Sequence, residues 1–211
     1  MMILAGEVGA NYAQKNQIPI PFRSQPQPEL PSEEELIQLP AGPVRSCALR
    51  SCMPRSEMGL TPGRHAGLGL QMYTQITSPI RRYSDLLTHF QIKAHLRGEI
   101  LPFTGDKIQE IMIGVGVASQ EARLVERQTN RYWSLEFLRR NNDQVWQALL
   151  LKWLREDDGL GLILLEELGL ELAMKFNRSI KLGEYLGVKV SVSDPHLDII
   201  QFKETIEPIA S

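Results

Sequence analysis

Apolar residues in the first 140 positions recur mostly at steps of three and four, which is the spacing of one face of an α-helix. In residues 1–16 the pattern is carried by Met2, Ile3, Val8 and Tyr12. No Ser, Thr, Asp or Asn precedes the first apolar position as a start signal. We therefore expect the chain to begin inside a helix.

Two short helices are predicted after a proline-rich stretch. Residues 17–32 contain five prolines and should be extended and irregular. Ser32 and Glu35 have the spacing of a capping box, in which each side chain bonds the backbone N–H of the other. Pro43 is suited to the first position of a second short helix, predicted over 43–53.

Two longer helices follow. Ser78 as N-cap and Pro79 as first helical residue predict a helix that runs to about Arg97, with Gly98 just past its end. Residues 106–140 predict one long helix, with a capping box formed by Asp106 and Gln109. Along it, Arg123, Arg127 and Arg131 form a cationic ridge, which ion pairs on a solvated helix face would also explain.

The pattern changes after Asn141 and Asn142, where short apolar or alternating runs are separated by turn residues. Four or five short strands in about 60 residues are typical of a small antiparallel β-barrel of OB type. The predicted fold class is therefore α+β, with a mainly helical part over 1–140 and the barrel over 141–206. Three aromatic residues of the barrel are either core residues or stacking platforms for bases, namely Trp146, Trp153 and Phe176.

Charge is distributed unevenly along the 211 residues. Residues 41–140 hold 14 Lys and Arg against 8 Asp and Glu, whereas residues 141–211 hold 7 against 12. A polyanion should therefore prefer the middle of the chain. No apolar run reaches membrane-spanning length and the start does not resemble a secretory signal, so we expect a cytoplasmic protein without membrane contact.

The segment with the clearest chemistry is residues 77–85, which read Thr-Ser-Pro-Ile-Arg-Arg-Tyr-Ser-Asp. Two arginines in the first turn of a helix oppose the helix dipole, and an anion docked there would remove the conflict. Ser78, Arg81 and Arg82 thus predict a phosphate site, with Asp85 four residues after Arg81 to fix its side chain. The alternative is that both arginines are surface residues paired with local acids.

The sequence YTQITSPIRRYSDLLTH resembles the signature near the end of the ribonuclease II (RNB) catalytic domain, together with the preceding His65, Gly67, Leu68 and Leu70. MMILAGEVGANYAQ resembles a helix of the same family with the pattern E-x-M-I-L-A-N. VERQTNRYW resembles the helix that leads into the family's C-terminal OB barrel. The chain is thereby identified as similar to the C-terminal part of a ribonuclease II or ribonuclease R exoribonuclease.

That resemblance implies processive 3′-to-5′ hydrolysis of single-stranded RNA to nucleoside 5′-monophosphates, with magnesium or manganese held by an aspartate cluster. It gives Arg81 the catalytic role of contacting the phosphate at the scissile bond. It makes Ser78, Arg82 and Tyr73 candidate RNA contacts. His65 is a further candidate RNA contact, although a hydrogen-bonded structural histidine is the alternative.

The departures from the family pattern limit what this chain is expected to do alone. Asp85 is the only aspartate between Met1 and Gly105, and one carboxylate does not make a magnesium site. The family's aspartate cluster lies upstream of the motif. We therefore expect no metal site and no nuclease activity in this chain alone, and a missing N-terminal part as its partner besides RNA. A non-enzymatic RNA-binding module and an inactive remnant or scaffold are the alternatives.

Overall fold

The computed structural model describes residues 1–205 as an α+β protein in which helices are followed by an antiparallel sheet. Within that range the helices are α1 (Met2–Lys15), α2 (Glu33–Gln38), α3 (Pro43–Cys52), α4 (Tyr83–Leu96) and α5 (Gly105–Arg140). The strands are β1 (Phe22–Ser24), β2 (Glu57–Gly59), β3 (Trp146–Arg155), β4 (Leu160–Leu165), β5 (Leu170–Lys175), β6 (Tyr185–Asp194) and β7 (Ile199–Thr205).

The chain packs as two compact units. Unit 1 consists of Met1–Glu29 and Met53–Arg123, and unit 2 of Leu30–Cys52 with the residues from Leu124 onward. Along the sequence, the boundaries between the units fall after Glu29, after Cys52 and within α5, after Arg123. The predicted division into domains at 140 and 141 stays a prediction, and residue 206 of that barrel lies outside the described residues.

Several helix signals in the sequence are confirmed. The Ser32 N–H donates to Glu35 Oε2 at 2.8 Å and the Glu35 N–H donates to Ser32 Oγ at 3.2 Å, which is a complete capping box. The helix α3 begins at Pro43 as expected. Gly98 follows the end of α4 with φ of 68°, a left-handed conformation that glycine adopts without steric cost.

The predicted start of α4 is wrong, and the long helix predicted over 106–140 is confirmed with a different cap. The helix α4 begins at Tyr83 rather than Pro79, with an extended Arg82 as its N-cap, because residues 78–81 form a separate turn. The helix α5 begins at Gly105, and the Lys107 N–H donates to Thr104 Oγ1 at 3.3 Å. The cap of α5 is therefore Thr104, two residues before the predicted cap Asp106.

Unit 1 has a small core between α1 and the segment that follows it, built from Ala10, Ala13, Ile18, Ile20 and Phe22. A buried amide ties three segments together beside this core. The Gln91 side chain of α4 donates to the carbonyl oxygens of Pro19 and Phe103, each at 2.9 Å, and accepts from the Phe103 N–H at 3.1 Å. Because Gln91 is fully buried, these bonds replace water that cannot reach it.

The main sheet lies in unit 2 and has the strand order β5-β4-β3-β6-β7, with every pair antiparallel. Burial alternates along β4, where Gly161, Ile163 and Leu165 face the core. The opposite face of β3 is also covered, since Val44 and Cys47 of α3 pack with Leu149 and Leu151. This second contact explains why β3 reads as a nearly continuous apolar run.

The prediction of a closed barrel is not confirmed. Cα atoms of β5 and β7, the two edge strands, come within 8 Å of each other, yet no hydrogen-bonded pairing joins them in residues 1–205. Register shifts in β3 and β6 bend the sheet without closing it. The observed element is a curved, open five-stranded sheet.

The three aromatic residues whose role the sequence left open all pack in the core of unit 2. Trp146 and Phe176 are buried, and Trp153 is half-buried and packs edge-on against Phe176 at 5.6 Å between ring centroids. None of the helices within 1–205 combines the length and the apolar character that crossing a bilayer requires. Cys47 and Cys52 are both free thiols.

Replacing Gly6 with alanine should destabilise unit 1. A Cβ on Gly6 would overlap the ring of Tyr73 and lie 2.5 Å from the Thr74 carbonyl oxygen, and overpacking of this kind costs about 1–3 kcal/mol. Gly114→Ala is the matched control, because a Cβ there meets no atom within 4 Å. The control should stabilise the helix by up to about 1 kcal/mol. Urea unfolding would measure both, and equal midpoints would contradict the close packing at Gly6.

Candidate nucleic-acid interface

The turn that precedes α4 brings the serine and the two arginines of the motif together. The backbone N–H groups of Arg81 and Arg82 both donate to the Ser78 carbonyl oxygen, at 3.2 and 3.0 Å. This closes a tight turn over residues 78–82, in which Pro79 contributes a fixed φ. The turn ends where Arg82 becomes extended and α4 begins.

A buried carboxylate holds this turn against the helix. Asp85 is fully buried, and its Oδ2 accepts from the Ser78 N–H at 2.9 Å and from Arg82 Nε and Nη2 at 3.0 and 2.7 Å. Its Oδ1 accepts from Ser84 Oγ at 3.2 Å. Asp85 therefore fixes Arg82, and the expectation that it would fix Arg81 is wrong.

The two arginines of the motif consequently have different environments. The Arg82 guanidinium is paired with Asp85 and also donates to Thr77 Oγ1 at 3.2 Å. The Arg81 side chain is exposed and makes no hydrogen bond or ion pair within residues 1–205. The alternative of an arginine paired with a nearby acid thus applies to Arg82. All donors of the Arg81 guanidinium are available to a ligand.

Tyr73 and His65 lie together in the same unit, with their rings edge to face at 5.7 Å between centroids. His65 is buried, and its Nδ1 has no hydrogen-bond partner in the described part of the chain. Burial lowers the pKa of His65 below its ordinary value of 6.5, and the positive charge of Arg23 lowers it further. A neutral imidazole results at pH 7, which suits packing against Tyr73 better than an ionic contact with phosphate.

Two arginines outside the motif add to the positive charge of unit 1. Arg23 of β1 is half-buried, and its Nε donates to Ser56 Oγ at 2.8 Å. Burial lowers the pKa of Arg23, the nearby charges of Arg123 and Arg82 lower it further, and Tyr73 and Asp85 act in the opposite direction. Arg23 and Arg123 line the same cleft of unit 1.

Sequence reasoning did not single out Arg23, since it lies within a proline-rich stretch without periodicity. The sequence placed Arg123 in a cationic ridge with Arg127 and Arg131. In the structure, Arg123 and Arg131 of that ridge have separate environments. Arg131 pairs with Asp198 at 2.7 Å in unit 2, and Arg123 lines a cleft of unit 1 with Arg23. Only a pattern that links positions about 100 residues apart in the sequence would have predicted that Arg23 and Arg123 line the same cleft.

The described residues do not fit a divalent metal ion. Across 1–205 there is no group of three or more His, Cys, Asp or Glu side chains arranged to hold one. The one aspartate of the motif, Asp85, is buried and has its oxygens occupied by Ser78, Arg82 and Ser84. Its carboxylate therefore anchors the turn, and no role as a metal ligand is assigned to it.

Comparison with known proteins agrees with the motif. The family model described as the RNB domain matches residues 1–98. An uncharacterized ribonuclease of Synechocystis is 67% identical over 98% of this chain, which covers 31% of that protein. The chain is an RNB-domain protein of the ribonuclease II and ribonuclease R family. A chloroplastic/mitochondrial ribonuclease II of Arabidopsis thaliana is 39% identical over 98% of this RNB-domain chain and 26% of its own length.

Solved structures share the fold of this RNB-domain chain. An active-site mutant of the Dss1 exoribonuclease from Candida glabrata superposes with a TM-score of 0.78 and 21% identity, over 95% of this chain and 27% of that one. Mycoplasma genitalium ribonuclease R without ligand gives 0.77 and 18%, over 97% and 40%. The same enzyme has been solved with ribose-methylated single-stranded RNA. The chain spans about a quarter to a third of the length of the two curated relatives described above.

Replacing Asp85 with asparagine should release the turn. An amide accepts less strongly than a carboxylate and leaves the Arg82 charge without its counterion, which should cost about 2–3 kcal/mol, less than for a fully buried pair because Arg82 is partly solvated. Asp198→Asn removes the exposed pair with Arg131 and should cost at most about 1 kcal/mol. Urea unfolding of both variants tests this; similar losses would show that Asp85 does not anchor the turn.

Proposed function

We propose that this chain is the phosphate-positioning part of a 3′-to-5′ exoribonuclease that degrades single-stranded RNA to nucleoside 5′-monophosphates. The observation that carries the proposal is the contrast between the two arginines of the motif. Arg82 is held by Asp85, and Arg81 projects from the same fixed turn without a partner in the described chain. Membership of the RNB-domain family supports the assignment.

The chemistry of Arg81 fits a phosphodiester. A guanidinium donates through a planar fork that matches two phosphate oxygens, and it stays protonated throughout the physiological pH range. Because the turn is closed by backbone hydrogen bonds and by Asp85, the Arg81 backbone needs little reorganisation when charge develops on the phosphate. We assign to Arg81 the stabilisation of that charge at the scissile bond, and to Ser78 a contact beside it.

Magnesium or manganese belongs to the proposal for the complete enzyme only. The metal would supply an activated water and stabilise the leaving oxygen, and residues 1–205 contain no ligand group for it. We therefore propose that a further segment completes the site, from the part of the longer relatives that this chain does not match. The lack of a ligand group in the described residues also favours a second candidate, an RNA-binding module without activity.

The Arg81→Ala substitution tests the proposal in two settings. In the 211-residue chain, we expect weaker binding of single-stranded oligoribonucleotides and no RNA hydrolysis with magnesium, before or after the substitution. In a chimera that carries this chain in place of the matching part of the Synechocystis relative, we expect magnesium-dependent degradation, with kcat reduced about 100-fold or more by the substitution. Fluorescence anisotropy and release of nucleoside monophosphates are the two measurements.

Arg97→Ala provides the matched control, because Arg97 is an exposed arginine at the other end of α4, 4.0 Å from Glu99. This variant should leave both RNA affinity and kcat nearly unchanged. A chimera that binds RNA but never degrades it would favour the non-enzymatic module. Equal RNA affinity of the chain with and without Arg81 would overturn the phosphate-positioning role itself.

A further inference from the structure

A cleft in unit 1 has no residue of the motif turn in its lining. It has a volume of about 510 Å³ and is lined by residues of β2, of the segment after it and of the first two-thirds of α5, with Arg23 of β1 at one side. One part of its wall is apolar, formed by Met58, Leu60, Met112 and Ile113. Arg81 is not among the residues that line it.

We propose that this cleft is a second nucleotide subsite, in which Arg23 and Arg123 hold a phosphate and the apolar wall receives the attached base. The proposal rests on the proposed function, since it takes RNA as the ligand. In this proposal the cleft holds a different nucleotide of the same RNA from the one at Arg81, whose turn contributes no residue to the lining.

The charges of the cleft favour an anion. The Nε of Arg23 is used by Ser56, and its two terminal nitrogens have no partner in the described residues. Arg123 is near enough for its charge to act on Arg23, and no Asp or Glu lines the cleft. Two neighbouring cations without a carboxylate repel each other, and a phosphate between them would convert that repulsion into two charge-assisted contacts.

The apolar wall favours a base rather than a free phosphate ion. Met58 is more than one-third exposed and Ile113 is two-thirds exposed, although apolar side chains of this size are normally buried. Methionine sulfur makes favourable contacts with aromatic rings, and Met112 stands beside Ile113 on the same wall. The volume lies within the range of about 300–1,000 Å³ found for small-molecule pockets. A cation pair beside an apolar wall matches the two halves of a nucleotide.

The glycines of α5 provide a steric test. Gly116 lines the cleft, and a Cβ on it meets no atom within 4 Å, so Gly116→Trp should fill the cleft without disturbing the helix backbone. Gly114→Trp is the matched control, because Gly114 has equally open surroundings and does not line the cleft. Arg123→Ala removes one cation at an exposed position and tests the charge separately. Thermal unfolding would confirm that each variant is folded.

The readout is the affinity of the 211-residue chain for labelled oligoribonucleotides of two to ten nucleotides. We expect Gly116→Trp and Arg123→Ala to weaken binding of the longer oligonucleotides about tenfold, and to leave the shortest unaffected. Arg123→Ala should also reduce the slope of log affinity against log salt by about one. Gly114→Trp should bind as the unchanged chain does, whereas Arg81→Ala should weaken binding at every length.

The failures of the two proposals are distinguishable. If Arg81→Ala weakens binding but neither cleft variant does, the subsite is overturned and the proposed function stands. If Arg81→Ala has no effect while the cleft variants weaken binding, the subsite stands without the phosphate-positioning role. Competition completes the test: adenosine 5′-monophosphate should displace a long oligonucleotide more effectively than inorganic phosphate. Equal displacement by the two would overturn the contact with the base.

Discussion

The arrangement of the motif depends on one buried carboxylate. Asp85 accepts hydrogen bonds from a backbone N–H of the preceding turn, from the Arg82 guanidinium and from the Ser84 hydroxyl. A buried charge is tolerated only when its hydrogen-bonding capacity is met, so these partners have to remain in place for the fold to persist. The position of the turn, the start of α4 and the separation of the two arginines all follow from that requirement.

Unit 1 therefore uses its arginines in two ways. Arg82 compensates the charge of Asp85 and belongs to the scaffold. No carboxylate of the described chain occupies the guanidinium donors of Arg81, Arg23 and Arg123. Two of these arginines, Arg81 and Arg123, belong to residues 41–140, where positive charge is in excess. Net charge alone would not distinguish these uses, because every arginine contributes equally to it. The distinction comes from which nitrogen atoms already have a partner.

The sequence predicted the elements whose signals are local. The Ser32 and Glu35 box, the proline that opens α3 and the glycine that ends α4 need only a few neighbouring residues. Ser78 failed as an N-cap because the turn that follows it closes at Arg82, which is extended, so no helix continues from Pro79. The family motif indicated Arg81, but its freedom from Asp85 was not predictable from spacing, which favoured that pair. Two features depend on long-range packing that no local pattern encodes. One is whether the five-stranded sheet closes into a barrel, and the other is the placement of Arg23 and Arg123 in one cleft.

The isolation of Arg81 from the rest of its unit has an evolutionary consequence. Its side chain makes no hydrogen bond or ion pair in residues 1–205, so a lineage could lose this arginine and still inherit a well-packed protein. Asp85 has no such latitude, since altering it would reduce the amount of folded protein before any effect on chemistry became visible. Loss of Arg81 would therefore leave little trace in the abundance of the folded protein.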